Sequence, residues 1–199
     1  MRVLIVYAHP LETSFISAAH KAAVETLRAG GHVVDDLDLH AERFDPVMSR
    51  EMMLRYVDVK ANTREVETYV ERLRAADALI LIFPVWFDGL PAVLQGYFQR
   101  VFLPGVSVVI DEKGLFHPNL RNLKRMAAVC TYGESRSDVA AKGDPARRFV
   151  RDNIGALIDP KGRLEYLALY DMNCPSAPRR AAFLRRVIRA FKAWGDAGG

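Results

Sequence analysis

Cysteine is scarce in this chain. Cys130 and Cys174 alone, in 199 residues, make no disulfide framework and offer no C-x-x-C or zinc spacing. Cys130 sits in an apolar run and reads as core. No apolar run approaches the ~20 residues needed to span a bilayer. The opening segment Met1-Arg-Val-Leu-Ile-Val-Tyr7 is too short for a signal peptide and reads as a strand. A cytoplasmic chain without membrane insertion is the expectation. No G-x-G-x-x-G follows the first strand, which argues against a classical dinucleotide-binding Rossmann site. No G-x-x-x-x-G-K-S/T occurs, which argues against a P-loop NTPase, and no G-x-S-x-G elbow supports a catalytic triad. Phosphoacceptor domains need carboxylates clustered at strand ends to hold magnesium. Here the first strand ends in Ala8-His9-Pro10 and the third in Phe83-Pro84, so that reading fails and no metal site is expected.

What is present is a 50% hydrophobic chain of ordinary glycine and proline content, enough for one compact domain over residues 1–199. The formal charge is +4, with basic residues concentrated late: Arg147, Arg148, Arg151, then Arg179, Arg180, Arg185, Arg186, Arg189 and Lys192. That last cluster shares a helix with Phe183, Leu184, Val187, Ile188, Phe191 and Trp194, spaced as one apolar stripe. Such a helix docks on a core and leaves its arginines in water. No nucleic-acid motif accompanies the charge, so nucleic acid is not an expected partner.

The chain is organised around Ala78-Leu-Ile-Leu-Ile-Phe83, an apolar run without alternation, as expected of a strand buried on both faces. Pro84 should end it, and Pro91 fits the first turn of a helix. Between the prolines lie Val85, Trp86, Phe87 and Gly89. Elsewhere, strands are expected at 2–7, 32–39, 126–131 and 164–170. Helices should start after Ser14, at Thr63, after Pro91, near Pro145 and after Pro178, with a short one after Ser49. Residues 104–118 read as irregular. Alternating strands and helices with right-handed crossovers make an α/β, doubly wound, five-stranded parallel sheet. This is a flavodoxin-like arrangement, order 2-1-3-4-5, with helices on both faces and a binding crevice between strands one and three.

The loops after strands one, three and four should then lie side by side. His9-Pro-Leu-Glu-Thr-Ser-Phe15 opens onto a helix N-terminus, where free N–H groups and the helix dipole favour phosphate. Thr13, Ser14 and His9 add donors, although Ser14 is also explained as a helix cap. A phosphate loop beside an aromatic loop suits a flavin, which is flat, largely apolar and polar at its edges. Backbone N–H groups around Trp86, Phe87, Tyr132 and Gly133 are expected to bind its polar edge.

His9-Pro10…Ser14-Phe15, Phe44-Asp-Pro-Val-Met48, Pro84-Val-Trp-Phe87…Leu90-Pro-Ala…Gly96…Arg100-Val-Phe102 and Thr131-Tyr-Gly133 together resemble the NAD(P)H:quinone oxidoreductase family. This is the DT-diaphorase-like branch of the flavodoxin-like flavoproteins. The resemblance implies a homodimer with non-covalent FAD, or FMN in some relatives, and NAD(P)H as co-substrate. It implies His9, Thr13, Ser14 and Phe15 at the flavin phosphates. Pro84, Val85, Trp86, Phe87, Thr131, Tyr132 and Gly133 would border the isoalloxazine. The family's Gly-Gly pair, with the tyrosine and histidine that follow it, is replaced by Tyr132-Gly-Glu-Ser-Arg-Ser137, so no acid/base residue is assigned. The expected activity is two-electron transfer from NAD(P)H to a quinone or similar acceptor by a ping-pong mechanism. The alternatives are a flavin-binding accessory subunit of a potassium-efflux system, or azo/nitro reduction on the same scaffold.

Overall fold

A computed structural model describes residues 1–173 and 176–195; Cys174 lies outside them. The elements run β1 (Arg2–Tyr7), α1 (Phe15–Ala29), β2 (Val33–Asp38), α2 (Arg50–Leu54), α3 (Glu67–Ala75), β3 (Ala78–Pro84) and α4 (Ala92–Val101). They continue with β4 (Val108–Ile110), β5 (Phe116–Pro118), β6 (Arg125–Thr131), α5 (Arg136–Ala141), α6 (Pro145–Arg148), β7 (Arg163–Leu169) and α7 (Ala177–Gly195). Five strands form one sheet in the order β2-β1-β3-β6-β7, and every pair in it is parallel. With the small β4–β5 hairpin set aside, this is the expected 2-1-3-4-5 order.

The lack of alternation in β3 now has its cause. Leu79, Leu81 and Phe83 face one core layer, shared with α3 and α4. Ala78, Ile80 and Ile82 face the other, shared with α1 and α7. Both faces are dry, so neither parity of residue can be polar. Pro84 is the last residue of the strand, in register with Thr131. The ladder's next donor is Val85 N–H, to Thr131 O at 2.8 Å, so the proline stands where its missing N–H costs nothing.

Three local differences from expectation have physical reasons. α3 starts at Glu67, because Val66 N–H first closes a turn on Thr63 O at 2.9 Å. Residues 104–118 contain the antiparallel β4–β5 hairpin. Its turn is held by the Asp111 carboxylate, which accepts from Lys113 N–H and Leu115 N–H at 2.8 and 2.9 Å, with Gly114 at φ 78°. The third difference is one of winding: the segment from Pro145 is helical to Leu157, close to the expected extent, but α-helical only to Arg148, wider over Phe149–Ile154 and tighter over Gly155–Leu157.

The excursion after β2 packs as one unit on α4. Arg100, almost fully buried, pairs with the Asp45 carboxylate at 2.9 Å and also donates to the Asp45 carbonyl. Its guanidinium lies 5.5 Å from the Phe44 ring centroid. Phe44–Met48, Gly96 and Arg100, scattered in sequence, are thus one packing module.

Candidate flavin site

The register puts Tyr7, Pro84, Thr131 and Leu169 at one edge of the sheet, so the loops that follow them are neighbours. Two of these loops and the start of the one after β7 enclose a cleft of about 500 Å³. It is lined by Pro84–Asp88, Thr131–Glu134, Lys142, Met172 and Asn173. Every expected residue of the aromatic and post-β6 loops lies on this cleft.

The aromatic loop is a tight reversal. Trp86 and Gly89 exchange both backbone hydrogen bonds, at 3.1 and 2.9 Å, and the residues between them, Phe87 and Asp88, have φ of 50° and 59°. Two successive left-handed residues with no glycine between them are sterically costly. The turn holds the Phe87 ring entirely in solvent, while Trp86 is 44% exposed. Large apolar rings held out of the core at a cleft mouth are suited to contact with a flat ligand. On the far side, Gly133 gives passage to Asn173: an added Cβ would stand 2.9 Å from its Oδ1.

The backbone donors differ in detail from expectation. Trp86 N–H is used within its own turn, and Tyr132 N–H donates to Leu169 O at 2.8 Å. Among the described residues of these loops that line the cleft, the N–H groups without an acceptor are those of Phe87, Asp88, Gly133 and Glu134. The donors available to a ligand are therefore one residue further along each loop, because the sheet's last ladder bonds consume the first. The Tyr132 side chain also turns inward. Its hydroxyl donates to Asp144 at 2.7 Å and meets the Tyr166 hydroxyl at 2.6 Å. Burial pushes both phenols well above the ordinary tyrosine range, so neither is an acid near neutral pH. Burial likewise pushes the Cys130 thiol up to about 12, which removes thiolate chemistry from this edge.

The loop after β1 joins the cleft through His9, whose ring lies 5.8 Å from Trp86, centroid to centroid. Leu11 N–H donates to His9 Nδ1 at 3.1 Å, the shorter of two contacts with that residue, which leaves the ring proton on Nε2. Burial lowers the His9 pKa below its ordinary 6.5, so the ring is a neutral donor at pH 7. Ser14 is indeed the cap of α1, accepting from Ser17 N–H at 3.2 Å. That bond leaves the Phe15 and Ile16 N–H groups without an intrahelical acceptor. The start of α1 is thus capped and still keeps free N–H groups. Thr13 is exposed, while the Phe15 ring packs on Phe183 at 6.1 Å and offers only its backbone to a ligand.

Sequence reasoning missed Asp88, Glu134, Lys142, Met172 and Asn173. Lys142 Nζ bridges Asp88 at 3.1 Å and Glu134 at 2.7 Å, tying the aromatic turn to the loop after β6. Its hydrogen bond to Glu134, and then that to Asp88, raise its pKa. Only Tyr132-Gly-Glu134, next to the expected residues, carried any sequence signal for this clasp.

The donor set fits a flavin. One side supplies apolar walls and free amides for a flat heteroaromatic ring, and the other supplies a helix N-terminus with a neutral histidine donor for phosphate.

A family model described as flavodoxin-like fold matches residues 1–156. NAD(P)H dehydrogenase (quinone) 1 of Cavia porcellus is 34% identical over 162 residues, 71% of this chain and 57% of that protein. The chain thus spans about half the length of the curated relatives it matches. Among solved structures, an NAD(P)H:quinone oxidoreductase from Methanothermobacter marburgensis is 26% identical, with a TM-score of 0.84 and 98% of both chains covered. Smu.1420 from Streptococcus mutans UA159 is 27% identical, with a TM-score of 0.82 over 97% of this chain and 100% of that one.

Proposed function

Because the chain belongs to the flavodoxin-like fold family, we propose that it is a flavin-dependent oxidoreductase moving two electrons from NAD(P)H to a quinone or similar flat acceptor. The observation that carries this reading is the cleft itself. Trp86 and Phe87 stand exposed on a strained turn facing the free amides of Gly133 and Glu134, with a helix N-terminus joined to it through His9. The resemblance makes FAD the first choice and FMN the alternative. When bound, the flavin accepts hydride from reduced nicotinamide and returns two electrons to the acceptor. The chain's part is to hold and orient. Trp86 and Phe87 form the apolar wall, and the free N–H groups oppose negative charge at the ring's polar edge. His9 Nε2–H, with the N-terminus of α1, holds the phosphates. Releasing the chromophore of the purified protein by heat and identifying it tests the reading. A colourless protein that takes up neither FAD nor FMN would refute it.

A cleft of this size admits one flat co-substrate at a time within near-attack distance of the ring, roughly 3–3.5 Å. Donor and acceptor therefore take turns. Initial rates at several fixed acceptor concentrations should give parallel double-reciprocal lines, and mixing with NAD(P)H alone should bleach the flavin at least as fast as turnover. Intersecting lines with a detectable ternary complex would require separate sites.

His9→Ala is expected to weaken flavin binding by about tenfold, as for loss of one charge-assisted hydrogen bond, while apoprotein stability changes little. Fluorescence titration with flavin, beside urea denaturation, separates the two. Reduced stability with unchanged affinity would make His9 a structural residue.

The homodimer implied by the resemblance belongs to the same proposal. Met53, Leu54, Val57 and Val59, after β2, and Ile110, Leu115 and Phe116 of the β4–β5 hairpin are exposed apolar residues, the composition of an interface core. Sedimentation of dilute flavin-loaded protein should show a dimer. A fully active monomer would show that one chain completes the site.

A further inference from the structure

A second, smaller cleft of about 160 Å³ lies against the sheet's outer strand. It is lined by Arg136 of α5, Arg147 of α6, Arg186 of α7, and Tyr166, Ala168 and Tyr170 of β7 and its end. Three arginines from three separate helices converge here. Among the described residues none of them has a carboxylate within 4.0 Å, whereas the nearby Arg148, Arg151 and Arg179 are each paired. The acids closest in sequence are engaged elsewhere: Asp144 accepts from the Tyr132 hydroxyl and Asp138 from the Ser135 hydroxyl, both at 2.7 Å. Arg147 is held in place over the Tyr166 ring, 5.2 Å from its centroid. Like charges gathered without counter-ions repel one another, and a multiply charged anion relieves this. Guanidinium forks match tetrahedral oxyanions bidentately, and the cleft has room for one such anion but not for a nucleotide.

The cleft adjoins the flavin site. Tyr170 on its wall stacks on Tyr132 at 4.7 Å, and Tyr132 lines the larger cleft. Arg136 follows Glu134, another lining residue, by two positions.

We propose that Arg136, Arg147 and Arg186 form a phosphate-binding site adjoining the redox cleft. The phosphate is either the 2′-phosphate of NADPH, a source that rests on the function proposed above, or free inorganic phosphate, which does not. Either way these residues bind charge and take no part in bond making.

The test uses the flavin-loaded protein and the double variant Arg136→Gln/Arg186→Gln, which spares the arginine stacked on Tyr166. Inorganic phosphate is titrated by calorimetry at constant ionic strength, with chloride as the control for general screening. Wild-type protein should bind phosphate saturably, and the variant at least roughly tenfold more weakly, for two lost charge-assisted contacts. If NADPH is the source, its KM rises by a similar factor relative to that of NADH, and phosphate competes with NADPH but not with NADH. If phosphate binding is lost while the ratio of the two KM values stays put, free phosphate is the source. Phosphate binding no better than chloride, or equally well to the variant, overturns the proposal. That failure is distinct from failure of the proposed function, because a protein that holds flavin and oxidises NADH would still meet the latter. The phosphate titration in turn does not depend on any redox activity.

Discussion

Gly96→Ala should destabilise the protein by about 3 kcal/mol or more. The added Cβ would stand 2.3 Å from the Pro46 carbonyl oxygen and 2.4 Å from its Cα and Cβ. None of these atoms is the end of a flexible side chain, so the segment 44–48 as a whole must move. Overpacking costs about 1–3 kcal/mol when side chains can adjust, and here backbone must. The movement also threatens the contact between buried Arg100 and the largely exposed Asp45 carboxylate, and would leave the guanidinium without that partner. For a domain of this size each kcal/mol lowers Tm by about 2–4 °C, so a fall of roughly 6–12 °C is expected. Gly89→Ala is the control. Its Cβ would meet nothing closer than 3.7 Å, and a change within about 1 kcal/mol is expected. Urea denaturation of the two variants measures the difference. Equal stabilities would show that the excursion after β2 yields without cost, and that its packing on α4 is not what Gly96 protects.

Asp144→Ala should cost about 2–4 kcal/mol, and Asp144→Asn much less. Asp144 caps α6 by accepting from Arg147 N–H at 3.2 Å, and losing such a cap costs about 1 kcal/mol. Its carboxylate also accepts from the buried Tyr132 hydroxyl, which would keep only the Tyr166 hydroxyl as partner, a loss of one hydrogen bond at about 1 kcal/mol. The backbone is left-handed, with φ 45° and ψ 69°, which alanine resists by roughly 1 kcal/mol and asparagine tolerates. Asparagine keeps the cap, the acceptor and the conformation. Because Tyr132 anchors the loop that presents Gly133, the alanine variant should also bind flavin more weakly. The same pair sets an alkaline limit. The folded phenols of Tyr132 and Tyr166 are raised by burial, so their contribution is complete below the unfolded value near 10. It is lost as pH rises above that value, when only the unfolded chain ionises. Denaturation of wild type and both Asp144 variants at pH 8 and pH 11 checks both statements. Equal loss in the alanine and asparagine variants would exclude the cap and the left-handed backbone as causes.

Much of the scaffold was legible along the chain because the signals are local. The unbroken apolar run of β3 reports a strand dry on both faces. Ser14 and Ser49 report caps one residue before α1 and α2, and Pro91 reports the start of α4. Strand order followed from the alternation of strands and helices and from crossover handedness. The β4–β5 hairpin escaped detection because its strands are three residues long and its turn depends on one aspartate side chain. The late start of α3 escaped because Thr63 satisfies the rules for a helix start but is spent in a preceding turn.

Residue types and their order therefore determined by themselves the doubly wound sheet, the edge where its loops gather, and the aromatic and hydroxyl residues those loops carry. These rest on burial pattern and chain connectivity, which are properties of short stretches. Only the tertiary structure decided which amides remain free, since a backbone donor is spent or spared by the strand that happens to lie beside it. It also decided that Lys142 clasps Asp88 to Glu134, and that Phe44–Met48, Gly96 and Arg100 form one packed unit. Three arginines 50 residues apart, from Arg136 to Arg186, share a cleft for the same reason. Contacts between distant residues depend on where the helices pack, and no local spacing encodes that.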